Sequence, residues 1–237
     1  YVEIGISGRG TVAEIREKAL HAKRMADEAG LKVWSCHLPF SRKLDISVLN
    51  DSARMANLEF LTEMIAICGE LGPKKLVLHP SSEPIADAER EQRILNSIAS
   101  IGVLREAAAC IGAELCIEEL PRTCLGRNST ELLRIIAPYP DVKICFDTNH
   151  LLSEGLLHFV ETCGDRIATV HVSDYDMIDE RHWFPGKGKI DWPALYRALM
   201  KVGYKGVFMY ELKRGEGSFS EMVAIYKRMA TDAVKIK

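Results

Sequence analysis

The strongest constraint on this chain is a regular alternation of short, almost continuously apolar runs with longer segments that carry helix punctuation. The apolar, β-rich runs are Tyr1–Gly5, Lys32–Leu38, Lys75–Pro80, Glu114–Leu120, Val142–Asn149, Ala168–Asp174 and Val207–Leu212. Most stay apolar until their last residues, the pattern expected of parallel strands covered by helices on both faces. Between them, Thr11-Val12-Ala13-Glu14 forms a capping box. Gly30 closes that helix, whose apolar stripe is Val12, Ile15, Ala19, Ala22, Met25 and Ala26. Further helices are expected over Asp51–Leu71 (ended by Gly72-Pro73), over Asp87–Ile111 (ended by Gly112), after the N-cap Asp191 and from Ser220 onward.

Repeated β-then-α units imply a parallel sheet with right-handed crossovers. Such a sheet is either open and doubly wound or closed into a barrel. No G-x-G-x-x-G follows any strand, which removes the usual nucleotide signature of the open form. Seven runs stand where a closed barrel needs eight. The expected fold is therefore an α/β (β/α)8 TIM barrel lacking its first β/α unit, which would precede Tyr1. With 237 residues, 47% of them hydrophobic, one domain over 1–237 can enclose a single large core.

A formal net charge of −2 argues against a nucleic-acid binder, whose phosphate contacts usually need a basic face, although a local basic patch can hide in such an average. The seven cysteines at 36, 68, 110, 116, 124, 145 and 163 form no C-x-x-C pair and read as reduced thiols. No apolar stretch reaches membrane-spanning length and no signal peptide opens the sequence, so a soluble, cytoplasmic protein is expected.

Polar groups gather where a barrel places catalysis, at the C-terminal ends of its strands. His37, His79, Glu118 with Glu119, Asp147 with His150, His171 with Asp174, and Glu211 each follow an apolar strand. Burying an unpaired carboxylate costs several kcal/mol, so Glu118, Asp147 and Glu211 point to ligation or catalysis. Glu118 and Glu119 are adjacent, and strand alternation lets only one face the barrel interior. Two Glu, one Asp and one His make a hard-oxygen set with one imidazole, suited to Mn²⁺, Mg²⁺, Co²⁺ or Zn²⁺. A structural histidine or a salt bridge is the plainer account of any one of these residues; their concentration at successive strand ends is what argues for a site.

These residues lie in segments that resemble the xylose-isomerase-like barrel superfamily, in its sugar-phosphate isomerase/epimerase branch. The segments are Cys116–Arg122, Cys145–His150, Val170–Asp174, Asp179–Trp192 and Tyr210–Leu212, in that order. The resemblance implies that Glu118, Asp147, His171 and Glu211 hold one divalent cation, Mn²⁺ foremost. It also implies that Glu118 and Glu211 move a proton next to a ketose carbonyl through an enediolate. His150 matches a substrate-binding position, and His37, His79, Arg181, His182 and Trp183 are further substrate-binding candidates. Trp183 and Phe184 are the aromatics expected to stack on a sugar ring. The partner implied is a small sugar or sugar phosphate, and the assembly implied is a homodimer or homotetramer. The chain departs from the family's epimerases at Met177, where they carry Arg, and at Cys124, where they carry Glu.

The same superfamily holds type-IV apurinic endonucleases with three zinc ions. Their ligands would fall on His37, His79, Glu118, Asp147, His150, His171, Glu180, His182 and Glu211. Charge and short loops weigh against DNA cleavage. Gly186-Lys187-Gly188-Lys189 reads either as a phosphate-binding turn or as a solvated one. The same residues are also compatible with a lyase or dehydratase on a keto-sugar or inosose, and with a non-catalytic sugar-binding barrel.

Overall fold

In a computed structural model, which describes residues 1–215 and 217–235, the strands are β1 (Val2–Gly5), β2 (Val33–His37), β3 (Lys75–Leu78), β4 (Glu114–Glu118), β5 (Lys143–Asp147), β6 (Ile167–Val172) and β7 (Phe208–Tyr210). All seven are parallel and hydrogen-bonded in chain order within one sheet. Each matches a run expected from the sequence, and all but β1 end one or two residues before that run does, where the chain turns into a loop.

The helices are α1 (Val12–Glu28), α2 (Asp51–Leu71), α3 (Asp87–Cys110), α4 (Ser129–Ile136), α5 (Leu156–Cys163), α6 (Trp192–Lys201) and α7 (Phe219–Lys235). The capping box at Thr11 and Glu14 forms as expected, with both reciprocal hydrogen bonds present. Gly72 ends α2 at φ 67°, a left-handed conformation that glycine adopts without steric cost. The short helices α4 and α5 carry no signal strong enough to be read in advance; α4 is capped by Asn128 and α5 by no side chain. The α1 stripe buries Ile15, Ala19 and Ala26 but leaves Val12 and Met25 exposed.

Side-chain alternation divides each strand between two environments. Outward residues such as Leu76, Leu78, Leu115, Ile117, Ile144 and Phe146 join the large core beneath the helices. Val77, Cys116 and Cys145 form a separate buried cluster, each two residues before an inward polar group (His79, Glu118, Asp147). Small and medium side chains there fill the narrow barrel interior and make the floor of the site.

The sheet curls into a nearly closed barrel. Glu3 on β1 reaches His171 on β6 at 3.2 Å, a contact that a flat sheet cannot make. The remaining opening lies between β1 and β7, where a cleft of about 700 Å³ is lined by Tyr1, Glu3, Phe208, Tyr210, Phe219 and Tyr226. Among the described residues, no helix is long and apolar enough to cross a membrane.

Candidate metal centre

Four strand ends bring Glu118, Asp147, His171 and Glu211 together, with one potential ligand atom from each within 4.8 Å of the others. Glu118, Asp147 and His171 are buried, and the Glu211 side chain is 43% exposed. Glu118 Oε1 lies 2.9 Å from His171 Nδ1, while Glu211 Oε2 is 2.7 Å from the same nitrogen but not aligned for a hydrogen bond. Glu211 Oε2 and Asp147 Oδ2 are buried without a hydrogen-bond partner among the described residues. Orphaned anionic oxygens gathered in one place are costly unless a cation sits between them.

The electrostatics say the same. Burial, with Glu211 and Glu118 nearby and His150 opposing, lifts the Asp147 carboxyl to about 6. Burial also pushes Glu211 up, but contact with His171 outweighs it and holds the group near 2. For Glu118 the burial cost is outweighed by His171, His37 and His79, which keep it well below the usual carboxylate range.

Flanking histidines extend the cluster on both sides. His79 Nε2 and His37 Nε2 face Glu118 Oε2 at 2.9 and 3.2 Å. His37 donates its Nδ1–H to the Leu38 carbonyl at 2.9 Å. Burial lowers the His37 pKa, yet Glu118 and Glu3 more than reverse this and raise it to about 9. On the other side His150 Nε2 lies 3.1 Å from Glu180 Oε1, and His150 donates Nδ1–H to the Glu119 carbonyl at 2.8 Å. Among the described residues, three further groups are compact enough to hold an ion: His37, His79 and Glu118 on one flank, His150, Glu180 and His182 on the other, and Glu118, Cys145 and His171 at the centre.

The mouth above these groups is a cavity of about 240 Å³, walled by His79, Glu118, Arg122, His150, Glu180 and Glu211 among others. Phe40, which the sequence did not single out, is 58% exposed there and stacks on His79 with ring centroids 3.9 Å apart. Arg181 and Trp183 stand outside that wall. Arg181 pairs with Asp176 at 2.8 Å and lies over the Trp183 ring, and Trp183 bridges to Asp174. Phe184 is buried and packs where a Gly217 side chain would sit, so it presents no face to a ligand.

The Gly186–Lys189 turn is organised from inside. Asp174 accepts hydrogen bonds from the backbone N–H of Tyr175, Gly186 and Ile190 and from Trp192 Nε1–H, at 2.7–3.3 Å. A Cβ at Gly188 would overlap Asp174 Oδ1 and the Tyr175 carbonyl, so only glycine fits this close approach. The turn's inward amides therefore already hold an anion, the protein's own carboxylate.

Glu119 points away from Glu118, as alternation requires. It is fully buried, neither carboxyl oxygen has a hydrogen-bond partner among the described residues, and burial drives its pKa well above normal. A carboxyl whose pKa is raised by folding gives stability that is complete below its unfolded pKa, about 4.3, and lost as pH rises through its folded value. Glu119→Gln carries no such proton. It is expected to match the parent's thermal stability near pH 4 and exceed it increasingly toward pH 8, by about 2–4 °C per kcal/mol in a chain of this size. Calorimetric melting across that pH range measures the difference; parallel curves would contradict a neutral, buried Glu119.

Comparison with known proteins places these features in context. The profile of the xylose isomerase-like TIM barrel family matches residues 1–229. A protein of Sinorhizobium fredii described as uncharacterized is 24% identical over 241 residues, covering 91% of this chain and 77% of the relative. The ketose 3-epimerase of Arthrobacter globiformis is 24% identical over 222 residues, covering 89% and 75%. The crystal structure of a D-tagatose 3-epimerase-like protein superposes with a TM-score of 0.85 at 23% identity, over 98% of this chain and 89% of that one.

Proposed function

The chain belongs to the xylose isomerase-like TIM barrel family, and we propose that it is a divalent-metal-dependent epimerase or isomerase of a ketose. The observation that carries this reading is the convergence of Glu118, Asp147, His171 and Glu211 within 4.8 Å. Three carboxylates and one imidazole fit a hard divalent cation, Mn²⁺ foremost, then Mg²⁺, Co²⁺ or Zn²⁺. The relative named as a ketose 3-epimerase supports the substrate class.

When bound, such a cation supplies Lewis acidity at a ketose carbonyl and its neighbouring hydroxyl and offsets enediolate charge. Glu211, ionised at neutral pH, withdraws the proton from the carbon beside the carbonyl, and Glu118 relays one to the other face from the His37 imidazolium against which its Oε2 lies. Return to the same carbon gives epimerisation, and return to the adjacent carbon gives aldose–ketose isomerisation. His150, with His37, His79 and His182 around the cavity, hydrogen-bonds substrate hydroxyls.

An unphosphorylated sugar fits better than a sugar phosphate. Among the described residues lining the mouth, Arg122 is the one permanent cation, and Glu83, Asp179 and Glu180 already engage its guanidinium. The glycine-lysine turn has amides already engaged, Gly186 N–H with Asp174, Lys187 N–H with the Phe184 carbonyl and Lys189 N–H with the Tyr175 carbonyl. Phe40 offers an open ring face for the apolar side of a sugar.

Two expectations follow for the purified protein. It should bind one divalent ion per chain with an affinity that falls as pH drops, because His171 carries a proton well above its usual range and must lose it to ligate. Incubated with free ketoses in D₂O, it should place deuterium on the carbon next to the carbonyl, and chelation should stop the exchange. Exchange accompanied by loss of a β-leaving group would indicate the lyase variant. The two flanking groups of potential ligands favour a second reading, a type-IV-like apurinic endonuclease with ions also at His37/His79 and at His150/Glu180/His182. Three zinc ions per chain together with nicking of abasic DNA would establish it instead. The net charge of −2 and the acidic mouth oppose that reading.

A further inference from the structure

Glu3 gives no sign of importance in the sequence, where it sits between Val2 and Ile4 in the first strand. In the fold it touches the centre of the site from the far side. Its Oε2 lies 3.2 Å from His171 Nε2, and the same oxygen accepts a hydrogen bond from Ser35 Oγ at 2.6 Å. Ser35 is its register partner on β2 and is fully buried. The His37 ring runs nearly parallel to that of His171, at 22° and 5.9 Å between centroids.

The two nitrogens of His171 are therefore divided between two directions. Nδ1 faces Glu118 at 2.9 Å and Glu211 at 2.7 Å, the side on which the potential ligands converge. Nε2 faces only Glu3 among the carboxylates. Carboxylates face both nitrogens and none can donate, so a cation held among Glu118, Asp147 and Glu211 decides the tautomer: Nδ1 would give it the lone pair, and the one proton of a neutral His171 would sit on Nε2 against Glu3. A ring flip would break both contacts at once. The strand pairing of Glu3 with Ser35 holds the carboxylate in place, and one oxygen, Oε2, meets both Ser35 Oγ and His171 Nε2.

We infer that Glu3 is a positioning residue that fixes His171 as an Nδ1 ligand by holding its proton on Nε2, with Ser35 orienting Glu3 in turn. The inference rests on the proposed cation site. Carboxylates behind ligating histidines set both tautomer and ring orientation, and their loss lowers metal affinity by about 10–100-fold.

The test uses Mn²⁺ titration by calorimetry and a two-bond ¹H–¹⁵N histidine spectrum of the Mg²⁺-loaded protein. The parent should bind one Mn²⁺ and show His171 protonated on Nε2. Glu3→Ala should bind Mn²⁺ about 10–100-fold more weakly. Glu3→Gln, whose carbonyl can accept the same hydrogen bond, should recover most of the affinity. A merely structural Glu3 would lower the melting temperature of the variants and leave the tautomer and the affinity of the folded fraction alone. Parent-like Mn²⁺ affinity in Glu3→Ala, or Nδ1–H on His171 in the loaded parent, overturns the inference while leaving the cation site standing. A parent that binds no Mn²⁺ overturns both. If Glu3→Ala fails to fold, the parent's tautomer and the Glu3→Gln affinity still decide.

Discussion

Glu211→Gln is expected to leave a folded barrel that has lost ketose turnover by about 10²–10⁴-fold. The side chain projects from the loop after β7, is 43% exposed and belongs to no part of the apolar core. Its amide replacement gives up only the ion pair with His171 and should cost about 1 kcal/mol. What disappears is an anion that is ionised throughout the neutral range, held there by His171 against the cost of burial. Turnover measured beside a melting curve separates the two effects. The substitution is cleaner than Glu118→Gln, because Glu118 is buried and faces three imidazoles. Removing its charge would strand them, a loss on the scale of about 3–5 kcal/mol.

Asp174→Ala is expected to cost about 3–5 kcal/mol, lowering the melting temperature by about 2–4 °C for each of them. One carboxylate satisfies three backbone amides and the Trp192 indole N–H, and Asp174 itself is fully buried. Without it the donors lose their partner together, and alanine leaves space that the close-packed Gly188 backbone cannot fill. Asp174→Asn keeps one acceptor oxygen and should fall between. The same loop carries Glu180 and His182 into the mouth, so limited proteolysis between β6 and α6 should accelerate in parallel with the loss of stability. A variant with unaltered melting and proteolysis would show that the turn is held by something other than Asp174.

How far the sequence speaks depends on whether a signal is local. Strand ends were legible because an inward polar group after apolar residues is anomalous wherever it occurs; Glu118, Asp147 and His171 all stand out on that ground. Helices α1 and α2 were legible from caps and terminating glycines, whereas α4 and α5 run only eight residues each, too short for periodicity to rise above chance. Glu3 was hidden for a different reason. A single acid in an edge strand looks like ordinary solvent-facing alternation, and its meaning depends on a histidine 168 positions away that only curvature of the sheet brings near. Phe40 likewise reads as a loop residue until the fold sets it against His79. Trp183 and Arg181 attracted notice by residue type, but their strongest contacts are with Asp174, with Asp176 and with one another. Candidate ligands at the strand ends are thus readable residue by residue, while the groups that would orient them and the walls of the pocket require the three-dimensional arrangement.

The most direct test is an anomalous-difference map from crystals of the protein soaked in Mn²⁺. One strong peak bounded by Glu118, Asp147, His171 Nδ1 and Glu211 is the predicted result. A map without a peak there, or with its strongest peaks at His37/His79 and at His150/Glu180/His182, would contradict it.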